Sequence, residues 1–412
     1  MSVSMAPAPH RLSRLRIYTV AFCLIVFFSP IFSASGQTVV EARGLWLRPP
    51  KDISAIPEML DQIQRAGFNL VFVETFYHGF TLYPNAIVPP RPEYGKTDVL
   101  QIFLTEGHKR NLQIHAWVEV FYWQVDTAKY PDLPRSPLFD LHPDWLLLLR
   151  SGKPTSESES AHLFANPAHP EVQQFLLNYF KDLLVSYDID GLHLDYIRYS
   201  SGKQDAGYDA YSRKRFEALS GVDPIDIDRQ TSPTLWLQWV EWRENQVTEF
   251  VEKVSDLVRS SKPSVWLSAA VFGSYYKNRP NDPHLQDWAT WAKNGLVDML
   301  MPMAYAPMLA QIEADIIDVQ NRIRTPDGTG PQVRLVPGLA VAKRTADYYG
   351  GSGHPPIGQQ IELVRRLHTS GHAIFCYGWI LDSVGGFDVF RKGPHKHDAA
   401  APTKLAKQPV RD

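Results

Sequence analysis

Asp190-Gly-Leu-His-Leu-Asp195-Tyr-Ile-Arg198-Tyr199 is the stretch on which the reading of this chain turns. Gly191 to Asp195 is a short, mostly apolar run that follows a predicted helix, Pro170 to Tyr187. Runs of this kind suit parallel strands that are covered on both faces. A carboxylate, an arginine and two tyrosines gather at the run's carboxyl end. In an eight-fold α/β barrel, that is the end where chemistry is placed.

Working outward, seven more runs have the same character: Ala42 to Leu47, Asn69 to Glu74, Gln113 to Glu119, Val265 to Val271, Val297 to Pro302, Val333 to Gly338 and Ala373 to Tyr377. Amphipathic stretches separate them: Ser54 to Ala66, Asp98 to Arg110, Pro170 to Tyr187, Leu235 to Ser260, Leu285 to Lys293, Leu309 to Ile323 and Gly358 to Thr369. Strand and helix in strict alternation predict βαβ units. Eight of them predict a (β/α)8 TIM barrel as one large domain. A doubly wound open sheet would carry fewer strands and often a glycine-rich phosphate loop after the first. Here Trp46-Leu-Arg-Pro-Pro50 fills that place, and no dinucleotide fingerprint or Walker loop occurs anywhere.

The chain has 412 residues, of which 44% are hydrophobic and 21% charged, with a formal net charge of −2. Arg11, Arg14 and Arg16 precede an apolar run from Ile17 to Phe32, and small residues follow, Ser33 to Gly36. This order predicts a signal peptide over residues 1–36. The run is short for a membrane span and Pro30 interrupts it. A secreted or periplasmic protein is therefore expected, with no stable membrane span after cleavage. Loss of the three arginines leaves 39 basic against 44 acidic residues, a charge of −5. A mildly acidic chain without a long basic run argues against a nucleic-acid partner. Cleavage also removes Cys23. Cys376, in an apolar stretch, then remains alone, so no internal disulfide can form and a buried, inert thiol is expected. Residues 37–391 are read as the barrel. The polar stretch 392–412 is read as a disordered tail, with His395 and His397 in solvent.

The other strand ends supply the rest of the candidate site. Trp46 and Arg48 end the first run, Glu74 the second, and Trp117 and Glu119 the third. Tyr305 follows the sixth and Trp379 the eighth. Aromatic faces stack on the apolar faces of sugar rings, and carboxylates and arginines take the hydroxyls. Glycoside hydrolysis needs two carboxyl groups about the scissile bond. Glu74, Glu119 and Asp195 are the candidates, with ion pairing to Arg48 or Arg198 as the alternative use of each. His193 shares a strand face with Asp195 and either reaches the site or fills the layer below. His115 has the same ambiguity. Asp190 and Asp298 open their strands and belong to the opposite, stabilising face. Neither a His-x-His pair on the first run nor an H-E-x-x-H helix occurs, so no metal and no cofactor is expected. Without a G-x-S-x-G elbow, a serine hydrolase is not expected either.

At these residues the sequence resembles the glycosyl hydrolase-like 10 family, from about Glu41 to Gly386. Glu41 to Leu47, Asn69 to Pro84, His115-Ala-Trp117, Phe164-Ala-Asn-Pro167, Tyr187 to Tyr199 and Asp298 to Tyr305 carry the likeness. The resemblance implies a TIM-barrel glycoside hydrolase, often exported by bacteria, with some members linked to cell-wall glycan strands. It matches Asp195 to the family's strand-four carboxylate. Two departures stand out: Tyr196 follows Asp195 where the family often has a second Asp, and Val118-Glu119 replaces an Asn-Pro type ending. The second carboxyl group must then come from another strand. The expected activity is cleavage of a polysaccharide, with Asp195 as nucleophile or base, Glu119 as acid and Glu74 in reserve. Arg48, Trp46, Trp117, His193, Arg198, Tyr305 and Trp379 are expected to bind the sugars. A non-catalytic carbohydrate-binding barrel and a metal-dependent deacetylase or amidase are the alternatives.

Overall fold

The computed structural model describes residues 39–200, 205–279, 281–324, 333–341, 353–383 and 385–404. The expected signal peptide lies outside them. The strands are β1 (Ala42–Leu47), β2 (Leu70–Tyr77), β3 (Gln113–Glu119), β4 (Gly191–Asp195), β5 (Trp266–Val271), β6 (Met299–Pro302), β7 (Arg334–Leu335), β8 (Gly338–Ala340) and β9 (Gly371–Phe375). All neighbours pair in parallel, in the order β7-β6-β5-β4-β3-β2-β1-β9-β8. The helices between them are α1 (Ile56–Arg65), α2 (Val99–His108), α3 (Pro170–Ser186), α4 (Pro233–Ser261), α5 (Trp288–Lys293), α6 (Leu309–Ile323) and α7 (Ile357–Arg366). These are the seven predicted helices. The reading missed a further helix, Ala210–Ser220, which is weakly amphipathic and buries little beyond Ser212 and Phe216.

The sheet curls, and its two edge strands are neighbours in sequence. The run expected as one strand, Val333 to Gly338, divides into β7 and the start of β8, with Val336 and Pro337 between them. One half pairs with β6 and the other with β9. Strands buried on both faces explain the apolar runs: every residue of β1 and β5 is buried. One core lies between sheet and helices. It takes Leu45, Val71 and Leu194 from the strands and residues such as Leu60, Ile63, Leu176 and Val247 from α1, α3 and α4. A smaller core fills the inside of the curl with Trp46, Phe72, Trp117, Met299, Met301 and Ala373. The two-residue period of a strand divides its side chains between these cores.

Registers are tight where glycine replaces a side chain. Gly191 pairs with His115. A Cβ at 191 would stand 2.0 Å from His115 Nδ1, and that ring is fully buried.

The amino ends of the strands are stapled by short polar side chains. Asn69 Oδ1 accepts the Arg43 amide at 2.8 Å, Asp190 Oδ2 the Ile114 amide at 2.7 Å, and Asp298 Oδ2 the Leu267 amide at 2.9 Å. Asp190 and Asp298 are thus structural, as their positions suggested. The tail corrects the sequence reading: residues 392–404 are packed against this same end of the sheet. Ala400 bridges to Val40. Asn69 and Gln113 donate to Ala399 O and Pro402 O, and Lys404 Nζ lies 2.7 Å from Asp298. His395 is buried between Phe68 and Phe390, 2.9 Å from both Ala66 O and His372 Nε2. A polar composition hid this because the tail binds mainly through its backbone carbonyls. Residues 405–412 lie outside the described residues.

Gly191→Ala is expected to lower unfolding stability by about 1–3 kcal/mol, as overpacking in a closed core does; calorimetry of the two proteins measures it. Burial, and next the charge of Arg43, hold the His395 ring down to about pKa 4. The unfolded chain takes up that proton near pH 6.5. Stability from this group is therefore complete above about pH 6.5 and falls as pH drops toward 4. Thermal denaturation across that window should show the fall, with a slope shallower by about one proton in His395→Asn.

Candidate active site

The carboxyl ends of the strands open into a cleft of ≈ 430 Å³, a size that suits a small ligand or a short stretch of polymer. Its lining follows the inward alternation of the strands. Trp46 and Arg48 come from β1 and its end, Trp117 from β3, Asp195 from β4, Ala270 and Phe272 from β5 and its end, and Met303 and Tyr305 from beyond β6. Phe375 and Trp379 close the far wall.

Asp195 is the strand-end carboxylate that the fold presents to this space. Its Oδ2 accepts from Trp117 Nε1 at 3.1 Å and its Oδ1 from the Tyr196 amide at 2.7 Å. Tyr196 adopts a left-handed backbone, φ 48°, which ends the strand in a sharp turn. Burial pushes the Asp195 carboxyl up, against the smaller lowering effects of the Tyr196 amide, Arg198 and Trp117. A carboxyl group so placed keeps its proton more readily than an ordinary aspartate.

The other two predicted carboxylates are near Asp195 but not in the cleft lining. Glu119 pairs in register with Asp195 across β3 and β4 and is buried. Neither of its oxygens has a hydrogen-bond partner within bonding distance, although the His78 amide lowers its pKa slightly. Burial first, then the charges of Glu74 and Asp195, push it well above the carboxylate range. Tyr77, Tyr122 and Tyr196 surround it, and their phenols are pushed up by burial and next by the charge of Glu119. Glu74 is also raised by burial but accepts from Arg48 Nε at 3.0 Å. Arg48 keeps about half of its side chain exposed and lies 5.8 Å from the Trp117 ring centre. Glu74 has a bonded cation and Glu119 has none, so the upward push on Glu119 is the less opposed of the two.

The arginines do not serve Asp195 in the way the sequence suggested. Arg48 bonds Glu74. Arg198 Nη2 bonds Glu159 Oε1 at 3.1 Å, and its Nη1 donates to Tyr199 O at 2.9 Å. Glu159 Oε2 accepts from Ser200 Oγ at 2.7 Å. Glu159 lines the cleft and was not foreseen: it lies in a long loop rather than at a strand end, and nothing in Ser156-Glu-Ser-Glu-Ser160 marks it. His162, Tyr196 and Phe272 also line the cleft. Tyr196 and Phe272 follow directly on strand ends.

His193 is corrected from a sugar-binding role. It is fully buried below the cleft, with Nε2 accepting from Trp46 Nε1 at 3.1 Å and Nδ1 2.9 Å from Ser268 Oγ. Its ring fills a layer against Phe72 and orients Trp46 above it. His115 is buried as well. Trp46, Trp117, Arg198, Tyr305 and Trp379 all stand where the sequence placed them, on the cleft wall. Cys376 is a buried free thiol. Among the described residues, no group of three or more His, Cys, Asp or Glu is placed to hold a metal ion, and no helix is long and apolar enough to cross a membrane.

Glycosyl hydrolase DigH of Escherichia coli (strain K12) is 24% identical over 355 residues, covering 75% of this chain and 72% of DigH. Glycosyl hydrolase YngK of Bacillus subtilis (strain 168) is 24% identical over 316 residues, 66% of this chain; the match spans 56% of the length of YngK. Among solved structures, the PgaB (BpsB) glycoside hydrolase domain from Bordetella bronchiseptica is alike with a TM-score of 0.61 at 14% identity, covering 85% of this chain and 98% of that domain. The catalytic domain of β-amylase from Paenibacillus polymyxa has a TM-score of 0.56 at 11% identity, covering 87% and 99%. These two share the fold. The profile of the family described as Glycosyl hydrolase-like 10 matches residues 41–347, most of the chain and all of the strands from β1 to β8, and the chain belongs to that family.

Proposed function

We propose that this protein is a glycoside hydrolase that cleaves a polysaccharide in the cleft, with Asp195 as the proton donor. One observation carries the reading. Of the three strand-end carboxylates, Asp195 lines the cleft, where Trp117 and the Tyr196 amide fix it among aromatic walls. Burial pushes its carboxyl up from the ordinary aspartate value, the direction in which a donor to a glycosidic oxygen is tuned. Tyr305 and Trp379 offer ring faces to the sugars above the buried Trp46 and Trp117, and the Arg48 guanidinium reaches the cleft for a hydroxyl or an acidic substituent.

Glu119 takes a different part from the one expected. It is buried and off the cleft, and burial pushes it toward the neutral form, in which it would spare Asp195 a second close negative charge. Glu74 and Arg48 form the ion pair beside it. The same proposal includes closure of the sheet as an eight-stranded barrel through residues 334–340, supported by pairing of that segment on both sides. It also includes export by the leader over residues 1–36 and, from the sequence resemblance, bacterial cell-wall glycan among the substrates.

A panel of glycans that includes peptide-free peptidoglycan strands, with products sized by chromatography, tests the reading. Asp195→Asn is expected to lower kcat by about 10²–10⁴-fold with folding intact by circular dichroism. Glu119→Gln, which fixes the neutral form that burial favours, should keep most of the activity. Equal losses in the two variants would return the donor role to Glu119, and binding without any product from the unmutated protein would leave a carbohydrate-binding barrel. Activity should also be unchanged after dialysis against EDTA; its loss, restored by a divalent metal, would favour a metal-dependent hydrolase.

A further inference from the structure

A glycosidase that uses one cleft carboxyl as proton donor needs a second group to act on the sugar's anomeric carbon or on water. No second strand-end carboxylate lines the cleft. Glu159 does, and it comes from the loop between β3 and α3. Arg198 Nη2 and Ser200 Oγ bond its two oxygens at 3.1 and 2.7 Å, and His162 Nδ1 stands 3.6 Å away. Arg198 is itself buried and lies 4.8 and 5.2 Å from the ring centres of Tyr196 and Phe164. The guanidinium is thus largely shielded from water, and Glu159 answers its charge. Asp195, by contrast, has no cation bonded to it. The two cleft carboxyl groups thus have opposed surroundings, one neutralised by a fixed cation and one held by neutral donors. Such a split is how paired carboxyl groups acquire separate acid and base roles.

The loop is built to hold Glu159 there. Ser160 and Ala161, the two residues after it, are both non-glycine residues in the left-handed region, φ 39° and 71°. Strained backbone of this kind persists where the surroundings fix it, often at functional sites. Here the Asp126 amide bonds Ala161 O at 2.8 Å, and the chain then turns into the short strand His162–Phe164 that pairs with Tyr122–Val125.

We propose that Glu159 is the second carboxyl group of the reaction and serves as general base toward water, an inference that rests on the glycosidase reading above. The bond from the anomeric carbon to the glycosidic oxygen breaks, and its electron pair leaves with that oxygen, which takes the Asp195 proton. A water oxygen bonds to the anomeric carbon from the opposite side, and its proton passes to the Glu159 carboxylate. Exchange with solvent returns a proton to Asp195 and removes one from Glu159. The first-formed sugar is the inverted anomer.

Steady-state kinetics of Glu159→Gln, Glu159→Asp and Asp195→Asn on a cleaved glycan, with NMR of the first-formed anomer, test this. Glu159→Gln should lower kcat by about 10²–10⁴-fold with little change in KM, and should lose the acid limb of the pH–rate profile. Added azide or formate should restore part of the rate. Glu159→Asp keeps the charge opposite Arg198, so it should fold, retain the acid limb and lose about tenfold or more in kcat, on the scale of an ångström-sized misplacement; it decides the matter if Glu159→Gln is unstable. Near-normal kcat in both variants, an unchanged acid limb without azide rescue, or a retained anomer would overturn the role of Glu159 while leaving Asp195 in place. An active Asp195→Asn would instead overturn the donor assignment, and with it the reaction in which Glu159 is the base.

Discussion

His115 and Gly191 stand side by side in β3 and β4, and no side chain larger than a hydrogen fits at 191 against that buried ring. This pairing fixes the register of two strands. It places Trp117 beside His193 and Glu119 beside Asp195. A slip of one residue would exchange the inner and outer faces of a strand, sending Asp195 and His193 into the helix layer and Leu194 into the cleft. The indole bond to Asp195, the His193 support under Trp46 and the burial of Glu119 all depend on it.

The electrostatics of the cleft follow from how two arginines are shared among four carboxyl groups. Arg48 is taken by Glu74 and Arg198 by Glu159. Glu119 and Asp195 are left without a bonded cation, and burial pushes both up. They differ in access: Glu119 is enclosed by tyrosines, and Asp195 faces the cleft. A charge is cheapest to keep where a cation already stands, and a proton is best retained where none does. The aromatic walls strengthen both effects by keeping the local dielectric low.

The proposed site and the stabilising contacts occupy opposite ends of the strands. At the carboxyl ends, long loops and aromatic side chains make a cavity. At the amino ends, Asn69, Asp190 and Asp298 each accept a backbone amide of the preceding strand in the chain, and the segment 392–404 lies across them. His395 anchors that segment by packing and by a backbone hydrogen bond. Truncation of the tail would uncover strand ends and leave Arg43, Asn69 and Gln113 each short of one carbonyl partner.

The sequence by itself determined the alternation of strands and helices, because burial on both faces of a parallel sheet writes itself as short apolar runs. It also determined which residues sit at strand ends, and so placed Asp195, Trp46, Trp117, Arg198, Tyr305 and Trp379 on the cleft wall and Asp190 and Asp298 at the other end. Only the tertiary structure decided which carboxylates meet the cleft. Glu74 and Glu119 share the inward alternation of Asp195, yet side chains from neighbouring segments cover them, and the pairing of each arginine depends on distances that spacing cannot express. Glu159 and His395 were illegible for the same reason: one lies in a loop and the other in a polar tail, where no period links position to face. Their surroundings come from residues far away in sequence, Arg198 and Ser200 for one, Phe68 and His372 for the other, and only the folded chain brings them together.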